Sequence, residues 1–118
     1  MKTRIETRFY DQSIAFYTDI LGMHVIEKWH KNEDRGVILG ICSPMSGAPT
    51  LELAFSPHQH NYSGISLQFK VACLTTFTQQ LPAAQAYEGP VQRPWGSEYL
   101  YLQDPTGIQV IIYEEVPG

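Results

Sequence analysis

The feature that most constrains this chain is that its second half repeats the order of its first. Sliding the sequence by 60 residues sets Ile5 on Ile65, Phe9 on Phe69, Ile14 on Leu74, Tyr17 on Phe77 and Leu21 on Leu81. Apolar residues coincide by chance often, so the matches alone decide little. The order of predicted elements repeats as well: strand, helix, then about three strands. One such unit leaves a half-covered sheet with its apolar residues exposed, whereas two units share a core and form a cleft between curved sheets. The expectation is an α+β fold of two βαβββ modules, about 1–56 and about 63–118, making one domain over residues 1–118.

Local patterns support that order. In residues 3–10, Ile5, Thr7 and Phe9 alternate with Arg4, Glu6 and Arg8, the period of a strand with one charged face. Residues 11–23 change period: Asp11 is a candidate helix cap, Ile14, Phe16, Tyr17, Ile20 and Leu21 fall at helical spacing, and Gly22 ends the run. Extended segments follow over 24–30, 37–42 and 50–55, separated by a turn drawn from Asn32, Asp34 and Gly36 and by a loop over 43–49. Residues 56–64 hold Pro57, Asn61 and Gly64 and read as a linker. Beyond it, Ile65, Leu67, Phe69 and Val71 share a strand face, and Leu74, Phe77 and Leu81 mark a helix over 72–81. The Pro/Gly-bearing stretch 82–96 has room for one short strand before two longer ones, 97–103 and 108–115.

Between those last strands stands Asp104-Pro105-Thr106-Gly107. Aspartate at the first position bonds the turn backbone, proline presets φ at the second, and glycine closes it: a type I turn, hence a hairpin. Leu100 and Leu102 then share one face and Tyr99, Tyr101 and Gln103 the other; Ile108, Val110 and Ile112 oppose Gln109, Ile111 and Tyr113. The aliphatic face suits burial under a helix. The Tyr/Gln face suits a wet cavity, where a phenol offers both area and a hydrogen bond.

Composition narrows the function. The net charge is −4 and the eight basic residues are scattered, so no electrostatic footprint for nucleic acid is present. No apolar run is long enough to span a bilayer, and the N-terminal residues lack the apolar core of a signal peptide, which makes a cytoplasmic location the expectation. Cys42 and Cys73 stand in unrelated segments and read as two reduced, half-buried thiols. There is no GxSxG, Walker or Rossmann pattern.

The segments SIAFYTDILGM, TLELAF and PWGSEYLYLQDPTGIQVIIYEE together resemble the vicinal oxygen chelate superfamily, which includes glyoxalase I, bleomycin resistance proteins and extradiol dioxygenases. The resemblance implies the paired βαβββ fold and a homodimer with clefts shared between chains. It also implies a place for metal ligands on the first and fourth strands of each module. The first-strand place falls on Lys2, Arg4 or Glu6 according to register, and these three share one strand face; of them only Glu6 has a lone pair to give. The fourth-strand place is Glu52, and the second-module counterparts are Ser66 and Ile111. Glu52 is the one ligand present in every register, and a single carboxylate does not hold a catalytic divalent ion. Arg4 near Glu52 reads as an ion pair or as an anchor for a polar ligand. His58 and His60 read as a solvated linker or as a metal or ligand contact. Trp95 reads as a stacking wall for a ligand or as edge packing, and Trp29 as packing.

The expectation is therefore metal-independent binding of a small molecule, of the kind that sequesters a drug or antibiotic, by Arg4, Glu52, Ser66, Trp95, Tyr99, Tyr101 and Ile111, with no cofactor. Two alternatives stand beside it. One is a divergent lyase, isomerase or dioxygenase with a non-standard metal site; the other is an accessory subunit that pairs through its sheet edges. A homodimer is expected on separate grounds, because Phe55, Tyr62, Trp95 and Tyr113 lie near predicted strand ends.

Overall fold

The computed structural model describes residues 2–41 and 48–115. Cys42 and most of the expected loop over 43–49 lie outside them. The chain divides into two compact units, Met1–Asn61 and Tyr62–Gly118.

The first unit runs β1 (Lys2–Thr7), α1 (Tyr10–Ala15) continued by a π-helical turn (Phe16–Ile20), β2 (His24–Lys31), β3 (Asp34–Gly40) and β4 (Thr50–Phe55). Its sheet has the order β1-β4-β3-β2, with β1 parallel to β4 and the other pairs antiparallel. Parallel pairing needs a crossover, and the helical segment supplies the first part of it. The second unit repeats this: β5 (Ser66–Lys70), α2 (Leu74–Gln79), β6 (Glu88–Gln92), β7 (Ser97–Gln103) and β8 (Gln109–Glu115), in the order β5-β8-β7-β6.

Alternation decides which residues are covered. Leu51 and Leu53 of β4, Val37 and Leu39 of β3 and Ile5 of β1 are buried with Tyr10, Phe16 and Tyr17 of the helical segment. In the second unit Leu100, Leu102, Val110 and Ile112 are buried on one face of the β7–β8 hairpin, together with Leu74 of α2. Burial of each such side chain contributes about 1.5–3 kcal/mol. The hairpin turn forms as its residues predict. Asp104, itself buried, accepts the N–H groups of Thr106, Gly107 and Ile108 on Oδ1, each at 2.9 Å, and Gly107 adopts φ +101°.

The repeat is present, in a different frame. Lys2 answers to Ser66 and Tyr10 to Leu74 as the first residues of matching elements, an offset of 64 residues where the apolar matches gave 60. The bond that opens each helix agrees: Ser13 N–H donates to Phe9 O, and Phe77 N–H to Cys73 O. Ile5 therefore answers to Phe69, and Phe9 lies outside β1, at the helix N-cap.

Three local expectations are also revised. Asp11 does not cap α1; it sits in the first turn, where its charge favours the helix dipole, while the chain enters the helix at buried Tyr10. Gly36 is not a turn residue. The turn is Asn32-Glu33, with Asn32 at φ 59°, and Gly36 lies inside β3 where the Trp29 indole occupies the space a Cβ would need. Cys73 is exposed rather than half-buried, because it is the N-cap residue of α2 and its Sγ accepts the Thr76 hydroxyl at 3.2 Å outside the core.

Candidate functional site

In the first unit the exposed face of β1 carries Lys2, Arg4 and Glu6, and the hydrogen-bond register sets Arg4 directly beside Glu52 of β4. Glu52 is nearly covered, its side chain 11% exposed, and both of its oxygens are engaged. Oε1 lies 2.8 Å from Lys2 Nζ, and Oε2 accepts Arg4 Nε at 2.8 Å. Arg4 Nη1 donates to Glu6 Oε1 at 2.7 Å, and Glu6 Oε2 is 3.4 Å from His60 Nε2. The Lys2 ammonium foremost, and then the Arg4 guanidinium, holds the Glu52 carboxyl below its usual range against the opposing effect of burial. Arg4 does the same to Glu6.

Beside this charged group the same sheet face also carries apolar side chains. Gly36 and Gly40 leave room for Trp29 and Ile26 to lie across β3, next to Ile38, the other cross-strand neighbour of Glu52. Trp29 Nε1 donates to Asp34 Oδ1 at 3.3 Å, so the indole is packed and tied, as its place in the sequence predicts.

In the second unit the face opposite the buried leucines carries Tyr99 and Tyr101 of β7 with Ile111 and Tyr113 of β8. Tyr99 pairs with Tyr113, and Tyr101 with Ile111. Tyr99 is the hub: its ring centroid is 5.9 Å from Trp95, 6.1 Å from Tyr101 and 6.0 Å from Tyr113. The Arg93 guanidinium stacks over Trp95 at 4.9 Å and approaches Tyr99 at 5.9 Å. Trp95 itself is 61% exposed, and Tyr99, Tyr101 and Tyr113 are half-buried. Tyr101 also borders a recess of about 380 Å³, lined further by Ala86, Tyr87, Glu88, Leu102, Gln103 and Gln109.

The structure thus brings Arg4 to Glu52 and brings Trp95, Tyr99 and Tyr101 together, the first group in one unit and the second in the other. Ser66 is paired with Gln109, toward the Gln103 end of the face, and Gln68 is the residue beside Ile111. In the 64-residue frame Ser66 answers to Lys2 and Gln68 to Arg4. His58 is exposed in the linker, while His60 reaches Glu6 and Ser56. Sequence reasoning missed Lys2 as a second cation on Glu52, although the alternation of β1 put Lys2 and Arg4 on one face. It also missed Arg93, which stands two residues before Trp95, and left Tyr113 out of the site. Among the described residues no three His, Cys, Asp or Glu side chains are grouped to hold a metal ion.

The model of the Glyoxalase/Bleomycin resistance protein/Dioxygenase superfamily matches residues 4–112. No curated protein sequence matches the chain. Among solved structures, the antibiotic-binding protein TnmS3 from Streptomyces sp. CB03234 superposes with a TM-score of 0.76 at 16% identity, covering 97% of this chain and 93% of that one. The trypanothione-dependent glyoxalase I of Leishmania major gives 0.76 at 23% identity, covering 97% and 84%. An integron cassette protein from the mobile metagenome of a Halifax Harbour sewage outfall gives 0.76 at 20% identity, covering 97% and 96%. At these identities the likeness is one of fold.

Proposed function

Because the chain belongs to the glyoxalase/bleomycin resistance protein/dioxygenase superfamily, we propose that it binds a small planar molecule without the help of a metal ion. The observation that carries this reading is the half-exposed aromatic group of Trp95, Tyr99, Tyr101 and Tyr113 on one sheet face. Rings left half-exposed at a surface, with Tyr101 bordering a recess, offer flat apolar area and phenol hydroxyls at little conformational cost, which is what a planar ligand uses. An antibiotic-binding protein shares the fold, which is consistent with sequestration as the outcome of binding.

The donor set supports the metal-free part. A divalent ion at the fourth-strand place of the first unit would have to displace Lys2 and Arg4 from both oxygens of Glu52. The matching place in the second unit is Ile111, which has no donor at all. These residues do not fit the ion that the fold family implies. The same ion pairs leave Glu52 with no free charge for a cationic ligand, so the aromatic face rather than Glu52 is expected to dominate affinity.

Metal analysis of protein purified without chelators, together with a thermal-shift screen of planar aromatic compounds, tests both parts. The expected result is no stoichiometric divalent ion and a raised melting temperature with a subset of the compounds. A bound ion that is lost on Glu52→Ala refutes metal independence, and a screen that leaves the melting temperature unmoved refutes the binding site.

A further inference from the structure

Arg93 is the one member of the aromatic group whose chemistry the binding of a neutral planar molecule would not use. Its guanidinium lies over the Trp95 ring at 4.9 Å with Tyr99 alongside at 5.9 Å, while its edge carries the N–H donors. Nε is buried and has no hydrogen-bond partner. No carboxylate among the described residues forms an ion pair with Arg93. The acid on the same face at that end of the sheet, Glu115, is held instead by Lys70 at 3.1 Å. The backbone of Arg93 is fixed: its N–H donates to Ser97 O at 2.7 Å, and its carbonyl accepts Gly96 N–H at 3.0 Å. A cation held by its main chain, stacked on Trp95 and with its Nε left without an acceptor is a binding group lacking its counterpart.

We infer that the ligand of the aromatic face is a planar organic anion, an aromatic carboxylate or a group of like geometry, whose ring stacks among Trp95, Tyr99 and Tyr101 and whose two oxygens accept from the Arg93 fork. This rests on the proposed aromatic site and adds the charge of the ligand to it. Trp95 is 61% exposed, and a shift of its indole that keeps the ligand ring stacked on it would open the buried Nε to the carboxylate. The net charge of −4 gives no general attraction for anions, so the selectivity belongs to this residue.

The test uses 2-naphthoate, 2-naphthamide and acetate with the full chain, followed by indole fluorescence and titration calorimetry. Naphthoate is expected to bind at least tenfold more tightly than naphthamide, and acetate not measurably. In Arg93→Gln the naphthoate preference should fall to within about twofold while naphthamide binding stays, and Arg93→Lys should recover only part of the preference, since the fork is lost with the charge kept. Naphthamide binding as tightly as naphthoate to the unaltered protein overturns the anion assignment and leaves the aromatic site standing. Failure of both naphthyl compounds to bind overturns the site and the assignment together. The wild-type comparison needs no variant to fold, and the melting temperature of each variant reports whether it does.

Discussion

Glu52 shows how one residue can keep its place in a fold while its chemistry is redirected. It is a nearly covered carboxylate whose two oxygens are met by two cations that are themselves half-exposed, Lys2 at 51% and Arg4 at 53%. Breaking such a cluster leaves a poorly solvated charge, but the exposed partners recover water, so Glu52→Gln is expected to cost only about 1–2 kcal/mol at neutral pH. The pH dependence follows from direction alone. The folded carboxyl titrates below its usual range, so its contribution is fully present above that range and is lost as the pH falls through the depressed value. Urea midpoints measured from pH 7 down through about pH 4 and below should fall more steeply for the wild type than for Glu52→Gln. Parallel curves would show that Glu52 is not the group coupled to folding. Gly36 makes a second point at this scale. A methyl there would enter the Trp29 indole, so Gly36→Ala is expected to cost about 1–3 kcal/mol through expulsion of the ring. Gly40→Ala meets only the mobile end of Ile26 and should cost less in the same urea titration.

Among the elements, the short helix α2 and the β7–β8 hairpin depend on acids placed outside the apolar pattern. The residue before α2 is Cys73, whose side chain makes no capping bond. The first N–H of the helix, that of Leu74, instead donates to Glu114 Oε1 at 2.6 Å, across from β8. Removing this cap in Glu114→Ala is expected to cost about 1 kcal/mol, and amide exchange should quicken through α2 before it does in β7 or β8. Unchanged exchange in α2 would mean the helix is held by Leu74 burial alone. Asp104 carries more, since one oxygen serves three N–H groups from a buried position. Asp104→Ala should therefore cost about 2–4 kcal/mol, seen as a lower urea midpoint. The Asp104 role was legible in sequence because a turn's hydrogen bonds are made within four residues. The Glu114 role was not, because its acceptor and donor are 40 residues apart.

For the molecule as a whole, the unpaired strands carry the argument. In each unit the last hairpin partner is an edge strand, β2 in one and β6 in the other, and each exposes apolar side chains: Val25 and Ile26 on β2, Val91 on β6. Of the four aromatics first expected to lie bare, Trp95 is exposed while Phe55, Tyr62 and Tyr113 are half-covered. Open edges with apolar side chains favour association, and a two-fold pairing of chains covers both copies at once. Light scattering at low micromolar concentration should give the mass of a homodimer; a monomer mass there refutes the pairing. Truncation before Trp95 should remove association and solubility together, because it deletes both inner strands of the second sheet.

The sequence by itself determined the kind and order of the elements, the buried faces of β7 and β8, the Asp104 turn and the place of Tyr99 and Tyr101 on the other face of β7. Each of these rests on alternation or on contacts within a few residues. Only the tertiary structure decided the frame of the repeat and added Lys2 to Arg4 as a partner of Glu52. The reason is periodic. Offsets of 60 and 64 differ by four residues, which is two full periods of a strand and close to one turn of a helix. Both frames therefore lay apolar faces on apolar faces, and hydrophobic pattern cannot choose between them. The choice is made by the cross-strand hydrogen bonds that set Arg4 beside Glu52 and Gln68 beside Ile111, and those bonds exist only once residues far apart in the chain have been brought into one sheet.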